Sequence, residues 1–174
     1  MSSIADKKRK ENIAEYIIHI YESEELIRTF ECDLQQIDEY VLSHLPVEKE
    51  ERALIKEWYG ELMQEMQAEE VVKEGHTQRV QKEVEALTAL HHTLLEKEDD
   101  YKKLYEEVKP SIDKNMALAE GVITNEIQIC LNGVYGFKLL RMRNKKVDPE
   151  LMKQVDHFGA LLSYLAFRFR EASK

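Results

Sequence analysis

Apolar residues recur every three or four positions along most of this chain, the spacing typical of amphipathic helices. The stretch from Met116 to Met142 stands out, because at about 100° per residue its apolar side chains fall on two separate stripes. One stripe holds Met116, Ala119, Ile123, Ile127, Cys130, Val134 and Phe137, and the other holds Leu118, Val122, Ile129 and Leu140. A helix with two apolar stripes needs neighbours on both sides. We therefore predict that this stretch is the central helix of the fold.

The same spacing predicts further helices on either side. We place the helices at about residues 4–30, 33–44, 48–74, 78–108, 112–143 and 149–171, with Asp99-Asp100 as a point that can divide the fourth. Breaks are expected at Pro46, Gly75 and Pro110. The alternation typical of strands is not found in the sequence. The pattern predicts an all-α fold: a single domain, residues 1–174, built as a bundle of five or six mostly antiparallel helices.

Polar residues within this pattern are the candidates for a binding site. An arc of neutral polar side chains lies between the two stripes of the central helix, and three ionisable residues fall inside the apolar stripes of other helices. The arc includes Asn125, Gln128, Asn132 and Tyr135, and the ionisable residues are Glu24, His91 and Glu98. One interpretation is that these residues gather around a small ligand.

A structural interpretation of the same residues is also open. A buried carboxylate must be paired or neutralised. Glu24 can reach Arg28 one turn later, His91 can be a hydrogen-bonded core histidine, and Glu98 can lie near a bundle end. No residue of either set is a predicted catalytic residue.

Motifs of well-defined chemistry are absent from the sequence. It has no Glu-x-x-His, no His-Glu-x-x-His, no Gly-x-Ser-x-Gly, no Cys-x-x-Cys and no phosphate-binding loop. We therefore expect no metal, no cofactor and no nucleophilic catalysis. The sequence also lacks a signal peptide and a run of about 18 uncharged apolar residues, so we expect no membrane association. Two distant cysteines, Cys32 and Cys130, indicate a reducing compartment and hence a cytoplasmic protein.

Charge is divided unevenly along the chain. The formal net charge is −9, yet residues 138–174 contain 9 Lys/Arg and 4 Asp/Glu. The overall acidity argues against nucleic acid binding. The basic turn Arg141, Arg143, Lys145 and Lys146 is predicted to contact an acidic protein face, on a protein partner or on a second copy of the chain. Helix three offers such a face in Glu57, Glu61, Glu65 and Glu69.

Two groups of residues carry a resemblance to a known family. The opening group is Lys8-Arg9-Lys10-Glu11-Asn12-Ile13-Ala14-Glu15-Tyr16 followed by Glu25-Leu26-Ile27-Arg28. The closing group is Leu139-Leu140-Arg141, Asp148-Pro149-Glu150 and Leu161-Leu162. Over nearly the whole chain, the sequence resembles a helical family from Bacteroidetes, the domain of unknown function 4924. The resemblance implies a helical bacterial protein and assigns no activity, cofactor or catalytic residue.

Together these features favour a non-catalytic module that binds a protein partner or associates with itself. The alternative is a helical bundle that holds a small ligand, as a binding protein or an enzyme, around the polar arc of the central helix.

Overall fold

The computed structural model describes residues 3–174, with side chains described from Ala5 onward. Eight α-helices span Ser3–Glu11 (α1), Ile13–Thr29 (α2), Leu34–Tyr40 (α3), Lys49–Ala68 (α4), Gln78–Lys97 (α5), Asp99–Leu118 (α6), Glu126–Met142 (α7) and Pro149–Ala172 (α8). A short 3-10 helix, Leu42–His44, follows α3. Residues 3–174 contain no strand, so the all-α class is confirmed, whereas the predicted number of five or six helices is wrong. No helix in this range is both long enough and apolar enough to cross a membrane.

Two predicted helices are each divided in the structure. The first is interrupted at Asn12, between the end of α1 and the start of α2. The fourth is interrupted at Glu98, whose backbone is extended, with φ −122° and ψ 113°. Asp99 and Asp100 then occupy the first turn of α6, where acidic side chains stabilise the positive end of a helix. The fourth predicted helix is thus divided next to Asp99-Asp100, where the sequence allowed a division.

The break predicted at Pro110 is wrong, because α6 continues through this residue to Leu118. A proline inside a helix removes one backbone donor and normally bends or ends the helix. Pro110 is exposed, whereas Val108, Ser111 and Ile112 on the neighbouring positions are buried. Burial of this apolar side favours a continuous helix and offsets the missing hydrogen bond.

The predicted central helix is also shorter than its apolar pattern suggests. The backbone turns at Glu120 and Gly121, which have φ of 50° and 82°, and α7 begins at Glu126. Leu118 and Val122, predicted to lie on a buried stripe, are 74% and 87% exposed. A left-handed turn at a glycine is a common way to end a helix, and here it overrides the apolar spacing.

The chain contains two compact units. One contains residues 3–9 and Glu15–Gln81, and the other contains Lys10–Ala14 and Lys82–Lys174. In the first unit, α3 contacts α4 and the 3-10 helix. Its buried apolar side chains include Ile17, Ile20, Tyr21, Ile27, Ile37, Leu42, Leu62 and Met66. The prediction of one domain for the whole chain stays a prediction.

In the second unit, α6, α7 and α8 contact one another in all three pairs. Tyr101, Val108 and Ile112 of α6 are buried, as are Ile127, Cys130 and Leu131 of α7 and Phe158, Leu161 and Leu165 of α8. The helices α7 and α8 approach each other closely at Gly133. A Cβ atom at this position would lie 2.5 Å from Cδ2 of Phe158, whose side chain is buried. The absence of a side chain at Gly133 therefore sets how near the two helices come.

We expect Gly133→Ala to lower the free energy of unfolding by about 1–3 kcal/mol, the usual cost of overpacking a core. Gly136, one turn later on α7, has no atom within 4 Å of a Cβ position. The control Gly136→Ala should therefore raise the free energy of unfolding by about 0.5–1 kcal/mol, since alanine favours a helix over glycine. Urea unfolding measures both variants. Equal stabilities would show that the contact with Phe158 does not constrain this helix pair.

Candidate functional site

The fully buried Glu24 on α2 has a partner for each of its two carboxylate oxygens. Oε1 lies 2.7 Å from Nδ1 of His76, and Oε2 accepts the backbone N–H of Thr77 at 2.9 Å. The His76 ring stacks on Tyr21, with 4.1 Å between ring centroids. Hydrogen bonds of this kind are what a carboxylate needs when it is removed from water. Glu24 thereby holds the start of α5 against α2.

Arg28, one turn after Glu24 on the same helix, fixes the preceding part of this connection. Its guanidinium donates hydrogen bonds to the backbone carbonyls of Val71, Val72 and Gly75. The pairing of Glu24 with Arg28 that the structural interpretation predicted is not found in the described residues. The backbone carbonyls take the N–H donors of Arg28 that Glu24 would otherwise bind. The loop between α4 and α5 is therefore held at two points, by Glu24 and by Arg28.

His91 on α5 is the centre of a polar cluster in the second unit. It is 0% exposed, and its Nδ1 lies 2.6 Å from the hydroxyl of Tyr101. Its Nε2 lies 3.8 Å from Oε1 of Glu126, beyond hydrogen-bond distance, and has no partner in the described part of the chain. The other oxygen of Glu126 accepts the hydroxyl of Tyr105 at 2.5 Å. We call His91, Tyr101, Tyr105 and Glu126 the His91 cluster; it joins α5, α6 and α7.

Glu98 is connected to the His91 cluster through aromatic rings. Its carboxylate accepts the hydroxyl of Tyr164 at 2.7 Å and pairs with Arg168 at 2.9 Å, both on α8. The rings of Tyr164 and Tyr101 lie 5.0 Å apart. Two of the predicted ionisable residues, His91 and Glu98, are therefore brought into one network, whereas Glu24 belongs to the other compact unit.

The electrostatics of the His91 cluster favour a structural role. The adjacent His91 lowers the pKa of Glu126 more than any other group, and its burial acts in the opposite direction. Burial raises the pKa of Tyr101, Tyr105 and Cys130. The tyrosines thus stay protonated donors, and a buried protonated thiol is a poor nucleophile. No group of three or more His, Cys, Asp or Glu in residues 3–174 has the arrangement to hold a metal ion.

The predicted polar arc is divided between a cap residue and a helix: Asn125 precedes α7, whereas Gln128, Asn132 and Tyr135 lie on α7. Asn125 caps the helix: Oδ1 accepts the N–H groups of Ile127 and Gln128, and Nδ2 donates to Oγ1 of Thr88 on α5. Gln128 donates to Asn132 within α7 at 2.8 Å. Tyr135 is partly buried on the same helix. The bonds of Asn125 and Gln128 are made inside the protein, which counts against a ligand site there.

A concave surface of about 560 Å³ lies where α7 ends and α8 begins. We call it the basic groove; it is lined by Phe137, Arg141, Asn144, Lys145, Lys146, Val147 and Met152. The guanidinium of Arg141 lies 5.8 Å from the centre of the Phe137 ring. Three of the four predicted contact cations line this groove, and the fourth, Arg143, is exposed in the same turn.

The backbone around the basic groove is well defined by the sequence. Asn144 has φ of 53°, a left-handed conformation that asparagine adopts more readily than most residues. Asp148 caps α8 by accepting the N–H of Glu150, and Pro149 occupies the start of the helix, as predicted. The turn is thereby fixed at both ends, and its cations are presented to solvent.

Sequence patterns did not identify Glu126 of the His91 cluster or the apolar residues of the basic groove. Glu126 interrupts an apolar stretch directly after the cap residue Asn125, and an acidic residue in the first turn is the signal that could have marked it. Phe137 was predicted to be buried in the core, and Val147 and Met152 belong to a turn and a helix start, where spacing carries little information.

A family model with the description "Domain of unknown function (DUF4924)" matches residues 2–174. No curated protein and no solved structure matches the chain. The family match covers nearly all of the chain and assigns no role to any residue.

We expect Glu24→Ala to lower the free energy of unfolding by about 2–4 kcal/mol, because it leaves the buried Thr77 N–H without an acceptor and opens a cavity. The control is Glu25→Ala on the next position, where the side chain is 51% exposed. That change should alter stability by no more than about 0.5 kcal/mol. Chemical denaturation compares the two variants. Similar losses in both would rule out the buried carboxylate as the anchor of the loop.

Glu126 should make stability depend on acidic pH. Its pKa is lowered in the folded state, so below about pH 5 the unfolded chain takes up the proton more readily than the folded chain does. The stabilisation is present above the ordinary pKa of glutamate and is lost as the pH falls through the folded value. Glu126→Gln should therefore show a smaller drop in Tm between pH 5 and pH 3 than the wild type. The exposed Glu107→Gln serves as the control; an equal change of slope there would contradict the assignment to Glu126.

Proposed function

Since the chain belongs to the DUF4924 family, whose description assigns no activity, we propose from the basic groove that it is a non-catalytic module that binds an acidic protein partner. The groove combines apolar side chains with cations, and this combination is the observation on which the proposal rests. The partner would present an apolar side chain among carboxylates.

The composition of the basic groove suits protein binding in particular. Phe137, Val147 and Met152 provide apolar contact area, and Met152 is 47% exposed in the unbound protein. Apolar contacts of this kind supply most of the affinity at protein interfaces. Arg141, Lys145 and Lys146 have no ion-pair partner in the part of the chain that the structure describes, so their charges are available to orient an acidic partner.

Charge favours a protein over a nucleic acid as the partner. Beyond the basic segment 138–174, the chain carries 30 Asp/Glu against 16 Lys/Arg. Most of this chain would repel a nucleic acid backbone. An acidic patch on a protein contacts the basic groove alone, and salt screens that patch from the acidic remainder of the chain. A short basic turn is therefore better suited to a local acidic patch.

The small-ligand alternative stays a prediction. The Nε2 of His91, which has no hydrogen-bond partner in the described residues, is the feature that favours it, since a buried ring nitrogen of this kind can form a hydrogen bond with a bound molecule. The internal hydrogen bonds of Asn125, Gln128 and Asn132 weigh against it. We also propose a cytoplasmic location, supported by the free thiols of Cys32 and Cys130.

We expect the wild type to bind an alanine-based helical peptide that carries one leucine and three glutamates on one side, measured by fluorescence anisotropy at low salt. A neutral-groove variant replaces four cations by glutamine: Arg141→Gln, Arg143→Gln, Lys145→Gln and Lys146→Gln. It should bind the peptide about tenfold or more weakly, because orientation and attraction are both lost. Its thermal stability should match the wild type, since all four side chains are exposed, Arg141 in the last turn of α7 and the other three in the connection to α8.

A matched control separates this surface from overall charge. It removes four exposed lysines at other places: Lys73→Gln, Lys97→Gln, Lys102→Gln and Lys103→Gln. This control should bind like the wild type. Equal weakening in both variants would mean that net charge alone attracts the peptide, and the groove would then not be the site. Binding of a short DNA duplex in preference to the peptide would also overturn the proposal.

A further inference from the structure

We propose that the acidic partner of the basic groove is the exposed face of α4 on a second copy of this chain. This inference rests on the proposed function and adds the identity of the partner. It predicts that the protein self-associates through two different surfaces, the groove of one copy and α4 of the other.

One side of α4 has the composition that the groove requires. Glu50, Leu54, Glu57 and Glu61 follow at intervals of four, three and four residues, which places them on one side of a helix. All four are exposed, and Leu54 is 40% exposed although it is apolar. The strip is about 16 Å long at 1.5 Å per residue. It presents one apolar side chain among three carboxylates. We call these four residues the acidic face.

The carboxylates of the acidic face are available for a partner. Glu50, Glu57 and Glu61 have no ion pair in residues 3–174. Two glutamates that the sequence placed on the same surface are engaged elsewhere: Glu65 pairs with Arg79, and Glu69 accepts the N–H of Gln78. The acidic face therefore differs from the surface predicted from the sequence: Glu65 and Glu69 are not part of it, and Glu50 is.

The two surfaces complement each other in both charge and polarity. Three carboxylates face three groove cations, and Leu54 matches the apolar part formed by Phe137, Val147 and Met152. Each exposed ion pair contributes little by itself, so the apolar contact must supply much of the affinity. The division of charge along the chain then has a simple explanation, because each copy carries both members of the contact.

The nature of the surfaces also bears on the assembly. The groove and the acidic face are different surfaces, so each contact joins unlike surfaces of two copies; contacts of this kind either close into a ring or continue as an open chain.

Two charge-reversed variants test this inference. The first changes the acidic face, Glu50→Lys, Glu57→Lys and Glu61→Lys, and the second changes the groove, Arg141→Glu, Lys145→Glu and Lys146→Glu. Each alone should raise the dissociation constant of the self-associated protein about tenfold or more, measured by sedimentation velocity, because like charges then meet at the contact. An equal mixture of the two should associate like the wild type, since each copy then meets an oppositely charged surface. Wild-type association should weaken as salt is raised.

A control for the acidic-face variant makes the same change of net charge at three exposed positions outside the acidic face: Glu96→Lys, Glu106→Lys and Glu107→Lys. It should associate like the wild type. Wild-type protein that is monomeric at every salt and protein concentration, yet binds the acidic peptide in its groove, would overturn the second-copy inference and leave the proposed function standing. Failure of both self-association and peptide binding would overturn both. Self-association that the mixture does not restore would show that other surfaces mediate it and would also overturn the inference.

Discussion

A carboxylate removed from water must receive hydrogen bonds from the protein, and in the first unit this requirement fixes the connection between α4 and α5. Glu24 has 0% exposure, and both of its partners lie more than 50 residues away in the chain. Arg28 adds a positive charge that binds backbone carbonyls of the same loop. Two side chains of a neighbouring helix thus hold this loop in one conformation. The loop is irregular and lacks the repeating backbone hydrogen bonds of a helix.

The second unit meets the same requirement with a network of polar side chains from four helices. His91 of α5 forms a hydrogen bond with Tyr101 of α6, whose ring contacts Tyr164 of α8. Glu126 of α7 joins them through Tyr105, which donates to Glu126 and whose ring contacts His91. Apolar burial alone tolerates small shifts of one helix along another, whereas paired polar groups favour one arrangement. His91 and Glu98, two of the polar residues that first suggested a ligand site, belong to this network and help to select this arrangement.

Local signals in the sequence predicted much of the fold, and contacts distant in the chain account for most of what was missed. The start of α8 follows from Asp148 and Pro149 alone, since cap and proline act within one turn. The continuation of α6 through Pro110 depends on tertiary burial, and the partner of Glu24 is His76, beyond the range of any periodicity. The left-handed turn at Gly121 was missed for a related reason. The apolar spacing continues through this residue without a break, and spacing alone carries no information about the sign of φ.

The turn between α7 and α8 also determines what association costs. Its backbone is already ordered by the left-handed Asn144, by the cap at Asp148 and by the ring of Pro149. A loop that must fold around its partner loses backbone conformational entropy, at about 1–2 kcal/mol for each residue that becomes ordered. Here the exposed side chains are the parts that lose freedom on binding. The surface is therefore preorganised, and its cations can change through evolution while the helices that present them keep their structure.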